Sequence, residues 1–277
     1  MVTMTGAEIV WECLAREGVD VVFGYPGGSV LPLYDALHAS PVRHVLARHE
    51  QGAAHMADGY ARACGRTGVV LATSGPGATN LVTGIANAML DSTPMVCLTG
   101  QVPGALMGSD AFQEVDVTGV TLPISKHNYL VTRAGDIGPV LHEAFWLARS
   151  GRPGPVVVDL TKDAQLERCE FEWDDGVPAL ASRRPEPVPP EFALEEALDL
   201  IRSARRPVIL AGHGVLLAEA SDELAALVER TGIPVAFTLL GLGALPASHP
   251  LSLGMMGMHG ESWVNGAIQR ADLLLAL

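Results

Sequence analysis

Along the chain, short apolar runs rich in β-branched residues alternate with stretches whose apolar positions recur every three or four residues. That alternation predicts strands, each followed by a helix. "VDVVFGYPGG" reads as a strand ending in a Gly-rich turn, and "SVLPLYDALH" as a helix with Ser29 as its N-cap. "RHVLARH" predicts a strand and "EQGAAHMADGYARAC" a helix; "GVVLATSGPG" predicts a strand and turn, and "ATNLVTGIANAML" a helix. "TPMVCLTGQ" predicts a strand, and a less regular stretch occupies residues 102–133. "GPVLHEAFWLARSG" then predicts a helix and "GPVVVDLTKD" a strand. Uniformly apolar strands are buried on both faces, which implies a parallel sheet with helices on each side.

The pattern breaks over residues 167–191. "ERCEFEWDDGVPALASRRPEPVPPE" holds five prolines and many charges without a period, and predicts a surface linker. A second α/β pattern covers 192–277. "EFALEEALDLIRSA", "ASDELAALVERTG" and "ESWVNGAIQRA" predict helices; "RPVILAGHGV", "IPVAFTLLG" and "DLLLAL" predict strands. About three strands make a poor independent sheet. The last of them runs to Leu277, so the chain is expected to be the N-terminal portion of a longer protein.

Composition narrows the class. Hydrophobic residues are 48 % and charged residues 18 %, enough for a large core. The net charge is −13 with no basic stripe, which argues against a nucleic-acid partner. The four cysteines, Cys13, Cys64, Cys97 and Cys169, are too far apart for a metal knuckle or a redox pair, and read as reduced cytoplasmic thiols. The N-terminus carries Glu8, Glu12 and Glu17 on an amphipathic helix rather than a signal peptide, and no apolar run is long enough to span a membrane.

"RHEQGAAHMADGYAR" concentrates two histidines and two acids. His49 and His55 are six residues apart, roughly 240° around a helix, so they cannot share a metal ion on one face. Glu50 begins the predicted helix, where the macrodipole favours a carboxylate, and Asp58 can pair with Arg62 on an exposed face. A catalytic reading of Glu50 stands beside that one. Ligands of parallel α/β sheets gather at the carboxyl ends of strands. Glu50, "GYPGG", "TSGPGATN" and "TGQVP" all follow strands. A carboxylate among Gly-rich turns in an apolar pocket can exchange protons with a heterocycle near neutral pH. Neither Gly-rich turn is a dinucleotide or P-loop fingerprint, and Ser74 reads as a turn hydroxyl rather than a nucleophile.

"FGYPGGSVLPLYDAL", "RHEQGAAHMADGYARA", "TSGPGATNLVTGIANAMLDS", "TGQVP", "DAFQEVD", "ISKHNYLV" and "SGRPGPVVVDLTKD" together resemble the large catalytic subunit of acetolactate synthase, a thiamine-diphosphate enzyme family. The resemblance covers nearly the whole chain. It implies a parallel-sheet pyrimidine-binding domain over 1–166 and, over 192–277, a truncated Rossmann-like central domain of the FAD-holding type. It implies condensation of pyruvate with a second 2-keto acid, pyruvate or 2-ketobutyrate, with loss of CO₂. Glu50 matches the glutamate that hydrogen-bonds the cofactor's aminopyrimidine. Tyr25, Pro26, Gly27 and Gly28 match the turn at the cofactor's reactive end, and Gln113 a glutamine near the thiazolium. A surface-loop role stays open for Gln113. Phe112 and Lys126 match channel-lining positions more loosely, and Lys126 could equally be solvated.

For FAD, the resemblance points to Arg152, Gly212, Gly214, Thr238, Leu239, Gly257, Met258 and His259. Arg152 could instead be a helix C-terminal cation. His213 stands where the family usually has glycine or asparagine, and Ser29 where it often has alanine. The Mg²⁺ ligands, and the diphosphate grip, are expected in a C-terminal domain that nothing here resembles. The family also implies a homodimer or tetramer, with the cofactor between subunits, and a possible regulatory small subunit. This chain holds half of such a site. Competing expectations are an inactive fragment or scaffold half, and a related pyruvate oxidase or sulfoacetaldehyde acetyltransferase. Glu50 argues against a glyoxylate carboligase.

Overall fold

In the computed structural model, which describes residues 2–174, 176, 178 and 188–277, the apolar runs form two separate parallel sheets. The chain divides into two units, Met1–Arg184 and Pro185–Leu277.

The first unit contains, in order, β1 (Val2–Thr5), α1 (Gly6–Arg16), β2 (Val21–Gly24), α2 (Leu31–Ala36), β3 (Arg43–Leu46), α3 (Glu50–Cys64), β4 (Gly68–Ala72), α4 (Pro76–Thr79), α5 (Val82–Leu90), β5 (Met95–Gln101), α6 (Val117–Thr121), β6 (His127–Val131), α7 (Ala134–Arg149), β7 (Pro155–Thr161), α8 (Lys162–Leu166) and β8 (Arg168–Phe171). Six strands pair in parallel in the order β3-β2-β4-β5-β7-β6. Every residue of β4, β5 and β7 is buried. Their side chains alternate between two cores, as the period of a strand requires. Val69, Leu71, Val96 and Leu98 pack with Ile9 and Leu14 of α1 and Leu141 and Phe145 of α7. Val70, Ala72 and Cys97 pack with Ala53, Ala54 and Ala57 of α3 and Ile85 of α5. Small residues on α3 allow close approach: a Cβ on Gly68 would lie 2.2 Å from the Ala57 carbonyl oxygen.

Several expectations need correction. Ser29 is not an N-cap: α2 starts after Val30, which makes no side-chain cap, and the Ser29 hydroxyl bonds elsewhere. The helix expected over 78–90 is two, α4 and α5, with α4 beginning at Pro76. The expected linker starts too early. Residues 168–171 form β8, which pairs antiparallel with β1 from Val2↔Phe171 to Thr5↔Arg168. Residues 175, 177 and 179–187 of that linker lie outside the described residues. Asp58 pairs with Arg62 at 3.0 Å as expected, but is buried and also accepts from Asn87 Nδ2 at 2.9 Å, tying α3 to α5.

The second unit contains α9 (Glu191–Ser203), β9 (Pro207–Ala211), α10 (His213–Leu217), α11 (Ser221–Thr231), β10 (Val235–Phe237), β11 (Ser252–Met255), α12 (Ser262–Arg270) and β12 (Leu273–Ala276). Its sheet is parallel, in the order β11-β10-β9-β12, one strand more than expected. Ile209, Ala211, Val235 and Phe237 face Val215, Leu224 and Val228, while Val208 and Ala236 face Val264 on the other side. Among the described residues, no helix is long and apolar enough to cross a membrane.

Candidate active site

The chain runs from β2 outward to β3, then returns to the other side of β2 as β4. That reversal is a topological switch point, where the turns after neighbouring strands diverge and leave a crevice. The turn after β2 is Tyr25–Ser29, and the turn after β4 is Thr73–Gly75. Glu50 follows β3 on the flank, and Val102 and Pro103 follow β5 on the other. Four adjacent strands therefore deliver the expected turns to one end of the sheet.

The two central turns interlock. Ser29 Oγ lies 2.9 Å from Thr73 Oγ1 and accepts from the Ser74 amide at 2.8 Å. The Ser29 carbonyl accepts from Gln165 Nε2 at 2.9 Å. A Cβ on Gly27 would fall 2.4 Å from Thr73 Cβ, so only glycine lets the turns close this tightly. Tyr25, Pro26 and Gly28 stay exposed above that contact.

Glu50 is the first residue of α3 and is 9 % exposed. His49, the N-cap, accepts from the Gln51 amide through Nδ1 at 3.1 Å. The imidazole is thereby engaged in capping. Asn80 Nδ2 donates to Glu50 Oε2 at 2.8 Å. Oε1 faces the space left by Gly77, 3.4 Å from where a Cβ on that residue would stand. One carboxylate oxygen is held by Asn80 and the other lies beside Gly77, just after the β4 turn, at a helix N-terminus that favours its charge.

Gln113 reaches the same place through its backbone. Its φ is +60°, and its carbonyl oxygen lies 2.7 Å from where a Gly75 Cβ would be. Gly75 itself has a φ of +56°. Gly75→Ala is therefore expected to cost about 1–3 kcal/mol from strain and overlap. Urea unfolding checks this; a change below about 0.5 kcal/mol would mean the contact is slack.

The structure thus brings Tyr25, Pro26, Gly27, Gly28, Glu50 and Gln113 to one end of the first sheet. Phe112, beside Gln113, is 87 % exposed. Arg152 and Lys126 sit at the opposite end, before β7 and β6. Arg152 donates to Ser92 Oγ at 2.7 Å and to the Leu90 carbonyl at 3.1 Å, capping the end of α5. The half-buried Lys126 ammonium donates to the carbonyls of Leu147 and Ser150, at the end of α7. Thr73 and Asn80 were expected there only as the ends of the turn "TSGPGATN", and Ser29 only as a departure from alanine beside "GYPGG"; their contacts were not expected. Their signal was faint: polar residues inside otherwise small or apolar stretches.

In the second unit, Gly212 and Gly214 follow β9, Thr238 and Leu239 follow β10, and Gly257, Met258 and His259 follow β11. All seven lie at the carboxyl end of three adjacent parallel strands. Thr238 Oγ1 accepts from the Gly241 amide at 3.0 Å, and Asn265 brackets Gly257 with two bonds of 2.9 Å. Leu239 and Met258 are exposed. His213 Nδ1 is buried without a hydrogen-bond partner. An open row of backbone turns with one orphaned polar atom fits a dinucleotide-like ligand.

Comparison with known proteins agrees with this layout. Residues 4–120 match the thiamine pyrophosphate enzyme N-terminal TPP binding domain, and residues 194–277 match the central domain of the same enzymes. The chain is 54 % identical to the acetolactate synthase large subunit of Corynebacterium glutamicum, over 99 % of this chain and 44 % of that one. It is 50 % identical to a probable acetolactate synthase large subunit of Methanocaldococcus jannaschii, over 99 % of this chain and 47 % of that one. It is 51 % identical to the chloroplastic acetolactate synthase of Arabidopsis thaliana, over 98 % of this chain and 40 % of that one. The chain thus spans less than half the length of these curated relatives. With both domain matches in order and the strand-end turns assembled around Glu50, the chain belongs to the thiamine pyrophosphate enzymes.

Proposed function

We propose that this chain supplies the pyrimidine-binding half-site of an acetolactate synthase, which joins pyruvate to a second 2-keto acid with loss of CO₂. The observation that carries the reading is the placement of Glu50 at the strand ends, one oxygen held by Asn80 and the other beside Gly77, next to the β4 turn on which the β2 turn closes. Thiamine diphosphate, when bound, supplies the carbanion chemistry. Glu50 holds and returns a proton at the aminopyrimidine ring nitrogen. The interlocked turns of Gly27 and Thr73, with Gln113 closing on Gly75, would hold the ring. FAD is assigned to the turns of the second unit, from Gly212 to His259, where the buried His213 Nδ1 lacks a partner. No group of three His, Cys, Asp or Glu side chains among the described residues could hold a metal ion, and the Mg²⁺ ligands are assigned to the remaining part of the longer relatives.

The complementary grip on the diphosphate is assigned to a polypeptide segment of the kind that makes up the rest of the longer relatives. The chain alone, given pyruvate, thiamine diphosphate, Mg²⁺ and FAD, is expected to form no acetolactate. Combined with a polypeptide carrying the remaining half of an acetolactate synthase large subunit, it is expected to form it. Oxidative products such as acetyl phosphate and peroxide from the combined protein would favour a pyruvate oxidase instead. Acetolactate from the chain alone would overturn the half-site reading.

A further inference from the structure

The fully buried β7 carries a single acidic residue, Asp159, which is 1 % exposed. Thr99 Oγ1 donates to its Oδ1 at 2.7 Å, and Gln101 Nε2 donates to its Oδ2 at 2.9 Å. The same Gln101 nitrogen donates to the Val115 carbonyl at 2.8 Å, and Gln101 Oε1 accepts from the Val102 amide at 2.9 Å. One side chain therefore pins both ends of the segment 102–115. Its amide has no unused hydrogen and cannot flip without breaking all three bonds. Gln113 lies between the pins. Its neighbour Glu114 braces the segment from within by accepting from the Gly108 and Ala111 amides. Beneath lies a cavity of about 240 Å³, bordered by Asp159, Gln101, Glu114 and Asp116.

We propose that Asp159, acting through Gln101, is a positioning residue for segment 102–115, and so for Gln113. The value of that positioning to catalysis rests on the proposed role of Gln113. Burial pushes the Asp159 carboxyl up to about 7, against the hydrogen bonds from Thr99 and Gln101, and Asp116 pushes in the same direction. The charged groups that border the cavity with it are Asp116 and Glu114; β5 presents Thr99 and Gln101, and β6 presents Leu130, none of them charged. Gln101 Nε2 can only donate, so a proton on Asp159 belongs on Oδ1, with the Thr99 hydroxyl turned to accept it. The Gln101 clamp then persists. Ionised, Asp159 confronts Asp116, which caps α6 by accepting from the Gly119 amide at 2.9 Å. The segment is then pushed from its C-terminal end.

Amide hydrogen exchange of residues 102–117 in the 277-residue chain, corrected for intrinsic rates, tests this at about pH 6 and pH 8. Opening of the segment is expected to rise on the order of tenfold with pH, the change that one unit of difference in pKa between closed and open states produces. Amides of β4, which open only when the whole unit unfolds, should stay far better protected than the segment at both pH values. Asp159→Asn can keep Oδ1 toward Gln101 and its amide nitrogen toward Thr99, so it should exchange alike at both pH values. Gln101→Leu should leave the segment open at both. Flat exchange in the unaltered chain, or an equal pH response in Asp159→Asn, overturns the proposal. Should a variant fail to fold, the Asp159 carboxyl carbon titrated by NMR decides. Movement in the same pH interval as the segment's amides supports the proposal, and a different interval overturns it. Neither readout uses thiamine diphosphate, so failure here leaves the Glu50 half-site untouched, and failure of that half-site leaves the exchange result standing.

Discussion

Glu50→Gln is expected to lower acetolactate formation by about 10²–10⁴-fold, the usual worth of a positioned acid–base group. The measurement is turnover of the chain combined with the remaining half of an acetolactate synthase large subunit. Glutamine has nearly the same shape. Its carbonyl can keep the bond from Asn80 that Glu50 Oε2 accepts at 2.8 Å. Its amide nitrogen then points to the Gly77 side, where it can donate but cannot exchange a proton with the aminopyrimidine. Stability should fall only by the lost interaction with the helix N-terminus, about 0.3–1 kcal/mol. Proton exchange at the thiazolium carbon of bound thiamine diphosphate should slow by a similar factor to turnover. Turnover within a few-fold of the unaltered protein would remove Glu50 from the chemistry and leave it as a helix-start carboxylate.

How far this could be read from sequence depends on the length of the signal. The helix that opens on Glu50 was expected with the bounds it has, Glu50–Cys64, because fifteen residues of regular pattern end at the left-handed Gly65. The parallel sheet was legible because β4, β5 and β7 are apolar throughout. The pair β1–β8 was not: four residues each, largely exposed or half-buried, carry no alternation long enough to count. β6 has an irregular burial pattern and was absorbed into the stretch 102–133. β11 contains Gly254 at a φ of +102°, a residue that reads as a turn. The candidate site was legible as a set of turns after strands, but their mutual contacts were not. Ser29 closing on Thr73, and Gln113 on Gly75, join residues some 40 apart in sequence that no local pattern relates. Asp159 did leave a trace, an acid in the middle of "PVVVDLT", where a fully buried strand has no use for one without partners.

That acid sets the second large expectation, a fall in stability as pH rises through neutrality. The Asp159 carboxyl has its ordinary value of 3.8 in the unfolded chain and is pushed up to about 7 in the folded one. The folded state therefore holds the proton more tightly. The associated stability is complete below about pH 4 and is lost progressively as pH rises to about 7, by on the order of 4 kcal/mol. His142 contributes with the same sign. Burial opposes its charge, but the Gly176 carbonyl and Glu17, 2.7 Å away, outweigh it and raise its value. Asp20, Asp116 and Asp163 act in the opposite sense and lose their stabilisation only in acid, because hydrogen bonds hold them below the ordinary carboxylate value. Between about pH 5 and pH 7.5 those carboxylates are already ionised, so the downward slope there belongs to Asp159 and His142, opposed by His44, whose charged form burial disfavours. Urea midpoints over that interval should fall steeply in the unaltered chain. In Asp159→Asn, which cannot ionise, only the shallower difference between the opposing His142 and His44 contributions should remain. Equal slopes in the two proteins would show that the buried carboxylate is solvated on ionisation, with water entering by way of the cavity beside Asp116.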